Sequence, residues 1–571
     1  MSKADWIVLS CTLVGIIIYG LYKSRTTKDL EGYFLSNRSM PWYLILLSIM
    51  GTQASAITFL SAPGQAFTDG MRFVQYYLGL PIAMVLLCIT FVPIFHRLKI
   101  FTAYQYLEQR FDLKIRLLTS FLFLLSRALS TGISIYAPSI ILSSLLGWDI
   151  FWTNIVMGGL LIIYTVTGGA KAVAYTQQLQ LAIIFVGMFL AGYMIIHLLP
   201  PHIGFGDALK VSGAGGKLNV ITTGITPHGF DWKDKYNIFS GVIGGFFLSL
   251  SYFGTDQSQV GRYLTAKNTS ESRIGLLMNG LVKVPMQFVI LLLGAMLFGF
   301  YQFKSQPIFF NSAQQEKLAV SPRGQEAKTL ENSFELVNRQ KQEVLQHWNT
   351  DREHSLQQLK VLNTRSEGLR DQYKSLIRSK PVGGDDNDTN YIFLRFVVDY
   401  LPTGLVGLLI AIIFLASWGS IAAALNSMAS CTVVDFHLRL QRKADHPPSA
   451  LQTRAEYRMS KYYSLAWGIF SVVVAEFATG MGSLIEAVNV LGSLFYGVIL
   501  GIFLVAFYVK NVKSNALFIA SLLSEAVVIT LFELDRHGVI GFGFLWLNVA
   551  GALAVVILSV IFQPFMRASV R

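Results

Sequence analysis

Long apolar runs, separated by short polar or basic loops, make up most of this chain. Windows of about 20 residues have the length and hydropathy that a helix needs to cross the ~30 Å hydrocarbon core of a bilayer. They predict about thirteen spans, at residues 5–22, 42–63, 74–95, 117–146, 151–168, 178–199, 238–256, 274–300, 402–430, 462–478, 484–508, 516–534 and 542–562. Because barrel strands alternate apolar and polar residues, these unbroken runs exclude a closed β-barrel. The pattern predicts an all-α polytopic membrane protein.

Basic residues cluster in alternate loops and give the chain an orientation. The first cluster follows the first span and consists of Lys23, Arg25, Lys28 and Arg38. By the positive-inside rule such loops face the cytoplasm, so we expect the N-terminus outside and the C-terminus, with Arg567 and Arg571, inside. These loops also account for the net charge of +13, which therefore does not indicate nucleic-acid binding.

Composition argues against several other classes of protein. The chain is 53% hydrophobic and only 14% charged. Its three cysteines, Cys11, Cys88 and Cys431, give neither a disulfide framework nor metal-ligand spacing. No Walker motif is present, which argues against direct drive by ATP. No nucleophile–base or metal constellation indicates an enzyme.

One predicted span is interrupted by polar residues near its middle. The second span contains Gly51-Thr52-Gln53-Ala54-Ser55-Ala56-Ile57-Thr58. Polar groups at this depth are costly unless they face protein or water, and Gly51 weakens the helix locally. We interpret the stretch as a broken helix whose carbonyls and hydroxyls line a site. Simple packing of small residues between helices is the alternative.

The order of the spans indicates an inverted repeat. Residues 42–199 hold five spans, and residues 238–508 hold five more of opposite sense. The first span of the second set is also interrupted, by Gly241, Gly244 and Gly245. Glycine-interrupted spans at corresponding positions of two halves point to a transporter site at the repeat interface.

Residues 304–390 differ in composition from the spans around them. Their central part, 321–380, is rich in Glu, Gln, Lys and Arg, with leucines at helical spacing. Asn349, Thr350 and Asp351 predict a turn between two helices. We expect an external helical hairpin inserted into the second set of spans. A solvated, charged spacer without a partner is the alternative.

Four stretches, taken together, carry a resemblance to a known family. They are residues 168–176 (GGAKAVAYT), 102–111 (TAYQYLEQRF), 255–264 (TDQSQVGRYL) and 425–427 (LNS). In their order along the chain they resemble the sodium:solute symporter family, in its bacterial branch close to the sialic-acid, monocarboxylate and iodide members. The resemblance implies a LeuT-like fold of two inverted five-helix repeats, with sodium as the coupling ion, in the bacterial inner membrane.

This fold divides the chain into five parts. Residues 1–40 form an extra N-terminal span and a cytoplasmic loop, and residues 41–199 form the first repeat. Residues 200–237 are an external loop. Residues 238–508 form the second repeat, interrupted by the insertion 304–390, and residues 509–571 form two C-terminal spans.

The resemblance implies one sodium site, between the broken first helix and the eighth helix of the repeat core. Its ligands fall on the carbonyls of Gly51, Ala54 and Ala416 and on the hydroxyl of Ser420. Such oxygens suit a hard cation without burying a carboxylate. The family usually offers a second hydroxyl at Gly419, which here gives only a backbone oxygen. Water or Ser417 is a possible substitute.

A second sodium site, which some family members have, is expected to be absent. It requires an aspartate after the glycine-rich motif and two further serines. The corresponding residues in this chain are Gln177, Ala422 and Ala423. A carboxylate and two hydroxyls are missing together, so we expect one sodium per solute.

The solute site is also implied by the resemblance. Sialic-acid transporters use a serine and a threonine in the broken helix, which correspond to Ser55 and Thr58. Gln75 and Arg127 correspond to a glutamine on the next helix and an arginine on the third. Gln53, at the same break, is a further candidate.

Arg127 and Lys283 are cations inside apolar spans, where an unpaired charge is expensive. A solute carboxylate suits the guanidinium of Arg127, and a structural salt bridge or a snorkelling side chain is the alternative. For Lys283 we expect an ion pair with Asp256. Tyr252 and Phe253 are candidates for a gate, with plain aromatic packing as the alternative.

We therefore expect a monomeric sodium-driven symporter that imports a small polar solute, an organic anion or an acidic sugar such as sialic acid, by alternating access. A neutral-sugar symporter would use Ser55, Thr58 and Gln75 without Arg127. A membrane solute sensor, with the hairpin contacting a partner, is a further alternative. The lack of an output domain argues against the sensor.

Overall fold

The computed structural model describes residues 1–24, 30–346, 348, 351–380, 382–441 and 450–566. Several residues used to predict the orientation and the hairpin turn lie outside the described residues, namely Arg25, Lys28, Asn349, Thr350, Arg567 and Arg571. The same holds for the side chains of residues 167–172 in the glycine-rich motif.

The described chain is predominantly helical. Its first helices are α1 (Lys3–Ser24), α2 (Leu30–Leu35), α3 (Trp42–Gln53), α4 (Ala56–Asp69), α5 (Leu80–Ile89), α6 (Phe91–Leu98), α7 (Tyr104–Arg110), α8 (Leu113–Leu146), α9 (Ile150–His197), α10 (Phe205–Ala214) and α11 (Gly245–Thr255). They are followed by α12 (Gln257–Tyr263), α13 (Thr269–Phe303), α14 (Ser312–Ala319), α15 (Gly324–Gln346), α16 (Arg352–Arg378), α17 (Ile392–Tyr400), α18 (Leu405–Cys431), α19 (Leu438–Gln441), α20 (Ala450–Glu476), α21 (Leu484–Tyr508), α22 (Ser514–Arg536) and α23 (Leu545–Phe562). Two short strands, β1 (Ile225–Thr226) and β2 (Gly229–Phe230), pair antiparallel between α10 and α11.

Nine helices in the described part of the chain are long and apolar enough to cross a membrane. Two shorter apolar helices, Trp42–Gln53 and Ile150–Val166, accompany them. The thirteen predicted spans are not matched one for one, because several are interrupted. The predicted span 74–95, for example, begins in a 3₁₀ segment, Gly70–Tyr77, and then divides into α5 and α6. The exact number of crossings stays a prediction.

The two predicted spans 151–168 and 178–199 lie in one continuous helix, α9. Its apolar stretches are Ile150–Val166 and Val173–His197. Gly168 and Gly169 do not end the helix between them. A glycine in a helix interior costs only ~1 kcal/mol relative to alanine, so tertiary packing readily overrides it.

Two core helices are broken near their middle. Between α3 and α4 the backbone leaves helical geometry at Ala54 (φ −84°, ψ 78°) and Ser55 (φ −81°, ψ 175°). The predicted break in the first helix is present, although it follows Gln53 and leaves Gly51 helical. In the second broken helix, α11–α12, the break falls at Asp256 (ψ 116°). The predicted glycines instead lie in and beside a π-helical segment, Ser240–Gly244.

Helix α18 lies at the centre of the bundle. All of its residues except Leu405 and Leu408 are buried, and it packs against α1, α3, α8, α9 and α20. Its first turn is tied to the start of the chain, where the carboxylate of Asp5 accepts hydrogen bonds from the backbone N–H groups of Gly404 (2.6 Å) and Gly407 (3.2 Å). Because a helix leaves its first N–H groups without internal partners, Asp5 on α1 satisfies two donors at the start of α18.

Helix α13 packs closely against the half-helix α4. A Cβ atom added at Gly294 would lie 2.1 Å from the carbonyl oxygen of Pro63, so only glycine allows this approach. On its other side, α4 lies against residue Thr389, whose carbonyl oxygen would be 1.9 Å from a Cβ at Gly64. The half-helix is therefore held between two backbones.

The insertion forms a helical hairpin, α15 and α16, that packs on the bundle. A small apolar core of its own includes Phe309, Leu318, Phe334, Tyr373 and Leu376. Arg370 on α16 is buried and donates two hydrogen bonds to the buried Asp388, at 2.8 and 3.0 Å. Asn338 on α15 donates to the carbonyl oxygen of Gln306 (2.8 Å). The hairpin also contacts the bundle, where α15 packs against α13 and Arg352 lies 3.4 Å from Asp207 on α10, so it is not a freely solvated spacer. Contact with a partner protein stays a prediction.

Candidate functional site

The break between α3 and α4 opens into a cavity of about 90 Å³. Four of the five predicted solute residues line it: Gln53, Ser55, Thr58 and Arg127. Its other walls are residues that the sequence did not single out, with Tyr252 as the exception: Ile57, Tyr76, Tyr77, Ser130, Leu248, Tyr252, Ile485, Val488, Asn489, Gly492 and Tyr496.

Arg127 reaches the cavity as one half of a buried ion pair. Its Nη2 donates to Oδ2 of Asp256 (2.5 Å) and to Oγ of Ser258 (2.6 Å). The hydroxyl of Tyr496 donates to the same Asp256 oxygen (2.8 Å), and the guanidinium lies 5.4 Å from the centre of the Tyr252 ring. The Nε of Arg127 has no hydrogen-bond partner among the described residues. Arg127 therefore lines the cavity, but its charge is already compensated.

The predicted pair between Lys283 and Asp256 is wrong, because Asp256 pairs with Arg127. The Nζ of Lys283 is fully buried, and it lies 5.7 Å from the centre of the Tyr77 ring. Within the described chain it has no hydrogen-bond partner. Depth along a helix placed both residues at a similar level, but it could not show which cation faces the second break.

Gln75 does not line the cavity. Its side chain is fully buried, and its Nε2 donates to the carbonyl oxygens of Tyr236 (3.0 Å) and Arg72 (3.3 Å) and to the hydroxyl of Thr222 (3.1 Å). Its Oε1 accepts from the backbone N–H of Thr222 (3.1 Å). All of its amide groups are used to fix the loop before α11, so the prediction that Gln75 contacts the solute is not supported by this conformation.

The two residues of the predicted gate lie in different surroundings. Tyr252 lines the cavity, and its hydroxyl accepts a hydrogen bond from Nε2 of Gln259 (2.7 Å). Phe253 is 1% exposed and packs edge-on against Tyr252, with ring centres 5.0 Å apart. Only Tyr252 can touch a solute here, and Phe253 belongs to the packing behind it.

The predicted sodium ligands lie on two helices that meet. Gly51 and Ala54 are at the end of α3, and Ala416, Gly419 and Ser420 lie on α18, against which α3 packs. The Ser420 hydroxyl donates to the carbonyl oxygen of Ser417 (3.0 Å), so the lone pairs of its oxygen stay free for a cation. The donor set of carbonyls and one hydroxyl fits a hard monovalent cation such as sodium.

Gln177 on α9 joins the same two helices. Its Nε2 donates to the Thr52 hydroxyl (3.2 Å) and to the Gly419 carbonyl oxygen (3.1 Å), and its Oε1 accepts from Ser48 (2.8 Å). A Cβ atom at Gly51 would lie 2.9 Å from the Gln177 side chain. The oxygen expected from Gly419 is thus already engaged by an amide, which leaves the Ser420 hydroxyl as the only side-chain oxygen among the predicted ligands. From the sequence, Gln177 was identified only as the residue that replaces the aspartate of a second sodium site.

A model of the family described as "Sodium:solute symporter family" matches residues 33–320 and 369–523 of this chain. The stretch left out, 321–368, contains α15 and most of α16.

Three relatives illustrate the match. "Sodium/sialic acid symporter SiaT" of Proteus mirabilis is 25% identical over 98% of this chain and 95% of its own length. "Sodium/sialic acid symporter NanT" of Aliivibrio fischeri is 24% identical over 99% and 93%. The human "Sodium/iodide cotransporter" is 29% identical over 44% of this chain and 38% of its own length.

Among solved structures, the outward-open, substrate-bound state of a Na⁺-coupled sialic acid symporter superposes with a TM-score of 0.74. It is 23% identical and covers 99% of this chain and 98% of its own. The likeness confirms the predicted LeuT-like fold.

Proposed function

Because this chain belongs to the sodium:solute symporter family, we propose that the small solute it moves together with sodium is an acidic sugar, of the sialic-acid type. It is a membrane transporter and not an enzyme. The proposal concerns the identity of the solute, since coupling to sodium follows from the family.

The observation that carries the proposal is the meeting of Ser55, Thr58 and Arg127 in one cavity at the helix break. The hydroxyls of Ser55 and Thr58 and the amide of Gln53, which lines the same cavity, suit the hydroxyl groups of a sugar. The guanidinium of Arg127 suits a carboxylate. The two bacterial relatives named as sialic acid symporters align over nearly the whole chain, which supports the same solute class.

A neutral sugar is the second candidate, and one observation favours it. Asp256 already compensates the charge of Arg127, so an acidic solute has to share or displace this carboxylate. A neutral sugar requires no such exchange. For an acidic sugar we propose that the unpartnered Nε edge of Arg127 receives the solute while Nη2 stays on Asp256.

The proposed mechanism is alternating access around a fixed site. Sodium bound by Gly51, Ala54, Ala416 and Ser420 holds α3 against α18, and this arrangement keeps the solute cavity accessible from outside. Solute then closes the outer side, and loss of sodium to the cytoplasm loosens α3 from α18. Since Gln177 also joins the two helices, the contact does not depend on the ion alone.

Uptake into proteoliposomes tests the solute class. Labelled sialic acid, pyruvate and galactose are supplied with an inward sodium gradient, with an equal potassium gradient and with no gradient. We expect sodium-dependent accumulation of sialic acid that excess galactose does not inhibit. Sodium-dependent uptake of galactose alone would replace the proposal by the neutral-sugar alternative.

We further propose that the protein lies in the bacterial inner membrane as a monomer, with the N-terminus and the hairpin outside and the C-terminus inside. The distribution of basic loops supports this orientation. Single cysteines introduced near each terminus and in the hairpin, in a background without the native three, report the side by labelling with an impermeant maleimide in intact cells. Labelling of the C-terminal cysteine without permeabilisation would contradict the orientation.

A further inference from the structure

A second polar cavity, of about 260 Å³, lies where the hairpin meets the end of α4. It is lined by Phe67, Thr68, Lys217, Phe298, Gln306, Lys341, Asn363, Ser366, Glu367, Arg370, Asp371 and Lys374. Four of these are cations, and they come from both hairpin helices and from the loop after α10. We call this space the hairpin cavity. It is distinct from the cavity at the helix break, with which it shares no lining residue.

The walls of the hairpin cavity contain a buried amino group and a buried amide that lack the expected partners. Lys341 on α15 is 2% exposed, and no carboxylate among the described residues lies within 4 Å of its amino group. Asn363 on α16 is 8% exposed, and neither its Nδ2 nor its Oδ1 has a hydrogen-bond partner among the described residues. Buried polar groups normally have partners, so the unpartnered amide of Asn363, beside an amino group with no carboxylate within 4 Å, points to a ligand.

The charges around this space favour an anion. Lys217, Lys341, Arg370 and Lys374 face the lining carboxylates of Glu367 and Asp371, and Asp388 lies behind, 2.8 Å from Arg370 and 3.9 Å from Lys374. Four positive charges thus meet three negative ones, and Asp69, which also acts on Lys217, is itself paired with Arg72 (2.7 Å). Glu367 is largely exposed and is 3.8 Å from Lys217, which makes it a weak partner. One positive charge is left for a ligand.

Neutral groups on the same walls suit a hydroxylated molecule. Ser366, Gln306 and Asn363 offer hydroxyl and amide groups, and the Lys217 amino group lies 5.1 Å from the centre of the Phe298 ring. We propose that the hairpin cavity is a second binding site, outside the membrane span, for a small carboxylate-bearing polar solute. That this ligand is the transported acidic sugar rests on the proposed function above.

The hairpin cavity and the cavity at the helix break lie along the same half-helix, α4. Helix α4 begins with residues that line the cavity at the break, including Thr58, and ends at Thr68 in the hairpin cavity. Ten residues of helix separate them, or ~15 Å. A solute held in the hairpin cavity therefore contacts the same half-helix that binds solute at the break, on the side from which we expect it to enter.

Burial lowers the pKa of the Lys341 amino group to about 8, and it also lowers the pKa of Lys217. The groups facing Lys341 are Glu367 and Arg370, which act in opposite directions, with Asp371, Lys374 and Lys217 around the same space. A bound anion favours the protonated amine. Affinity for an anion is therefore complete well below pH 8 and is lost as the pH rises through this value.

Isothermal titration of the full-length protein in detergent tests the proposal, with sialic acid, pyruvate, sodium sulfate and galactose as probes. We expect two binding events for sialic acid in the wild type. Lys341→Gln and the less buried Lys374→Gln should weaken one of them about tenfold or more. Thr58→Ala should weaken only the other, and Lys360→Gln, at an exposed lysine of the same hairpin, should change neither. Lys341→Arg should keep the affinity at pH 9, where the wild type loses it.

The outcomes separate this site from the proposed function. A single event that Thr58→Ala removes and Lys341→Gln leaves unchanged would overturn the hairpin site while the solute assignment stands. Pyruvate binding that depends on Lys341, with galactose as the transported solute, would support the site and overturn the acidic-sugar assignment. Binding of sulfate alone through Lys341, with no carboxylate bound, would show an inorganic anion site and overturn the proposal.

Discussion

At the scale of single residues, the ion pair of Arg127 and Asp256 is the feature that best distinguishes an acidic solute from a neutral one. The guanidinium lines the cavity, yet its Nη2 is bound by a fully buried carboxylate. The structural pair is thus observed, and a solute contact at the same side chain is our proposal. They can be separated because the two roles depend on different partners.

Arg127→Gln should destabilise the protein by about 3–5 kcal/mol, because Asp256 is left as an unpaired buried charge. Asp256→Asn should have a similar effect, and the double variant Arg127→Gln/Asp256→Asn should regain most of the melting temperature. If Arg127 also receives a carboxylate, the double variant will still bind sialic acid about tenfold or more weakly. Melting temperature and titration in detergent measure both. Full recovery of affinity in the double variant would assign Arg127 a purely structural role.

Ser420→Ala should raise the sodium concentration for half-maximal uptake several-fold, with less change in uptake at saturating sodium. The reason is that Ser420 supplies the only side-chain oxygen among the aligned ligands, and a dry site cannot replace it cheaply. Ser427→Ala is the matched control, since its hydroxyl makes the same type of hydrogen bond on α18, to Ala424 (2.8 Å). An equal shift in both variants would contradict the assignment.

At the scale of helices, the sequence predicted well what depends on local pattern. The span 484–508 coincides with α21, and the break in the first core helix, at Ala54 and Ser55, lies within the stretch 51–58 in which it was predicted. It predicted poorly what depends on distant partners. Gln75 was matched by order along the chain, but its amide is used by Thr222 and Tyr236, about 150 residues away. The second break was assigned to glycines, although the residue that leaves helical geometry is Asp256, which caps the following helix.

The packing of the hairpin on the bundle could not be predicted from the sequence either. Amphipathic spacing indicates that one face of a helix is buried, but it does not identify the element that covers this face. Arg370 and Lys341 look like solvated charges in the sequence, and both are buried at the junction with the bundle. The insertion is thus part of the folded unit.

Arg370→Gln should loosen α16 from the segment at Asp388, which leads into the residues that pack on α4, because Asp388 then lacks its two-bond partner. We expect faster hydrogen exchange in α15 and α16 and a lower melting temperature. The control is Arg365→Gln, at an exposed arginine of the same helix. Exchange equal to wild type in Arg370→Gln would show that other contacts hold the hairpin.

At the scale of the whole molecule, one sodium should enter with each solute. The position of the second sodium carboxylate is taken by Gln177, and its amide is engaged with Thr52 and Gly419. A single ion site gives sodium activation with a Hill coefficient near unity, and flux ratios should give about one ion per cycle. A measured ratio of two would place a second ion elsewhere in the protein.

The hydrogen bonds from Gly404 and Gly407 to Asp5 connect residues about 400 positions apart. During synthesis at roughly 5–20 residues per second, α18 leaves the ribosome roughly 20–80 seconds after α1. During this interval α1 lacks its contact with the start of α18, because α18 has not yet been synthesised. The proposed ion site, which needs both α3 and α18, can therefore form only after α18 has been synthesised, and helices α20 to α23 follow it.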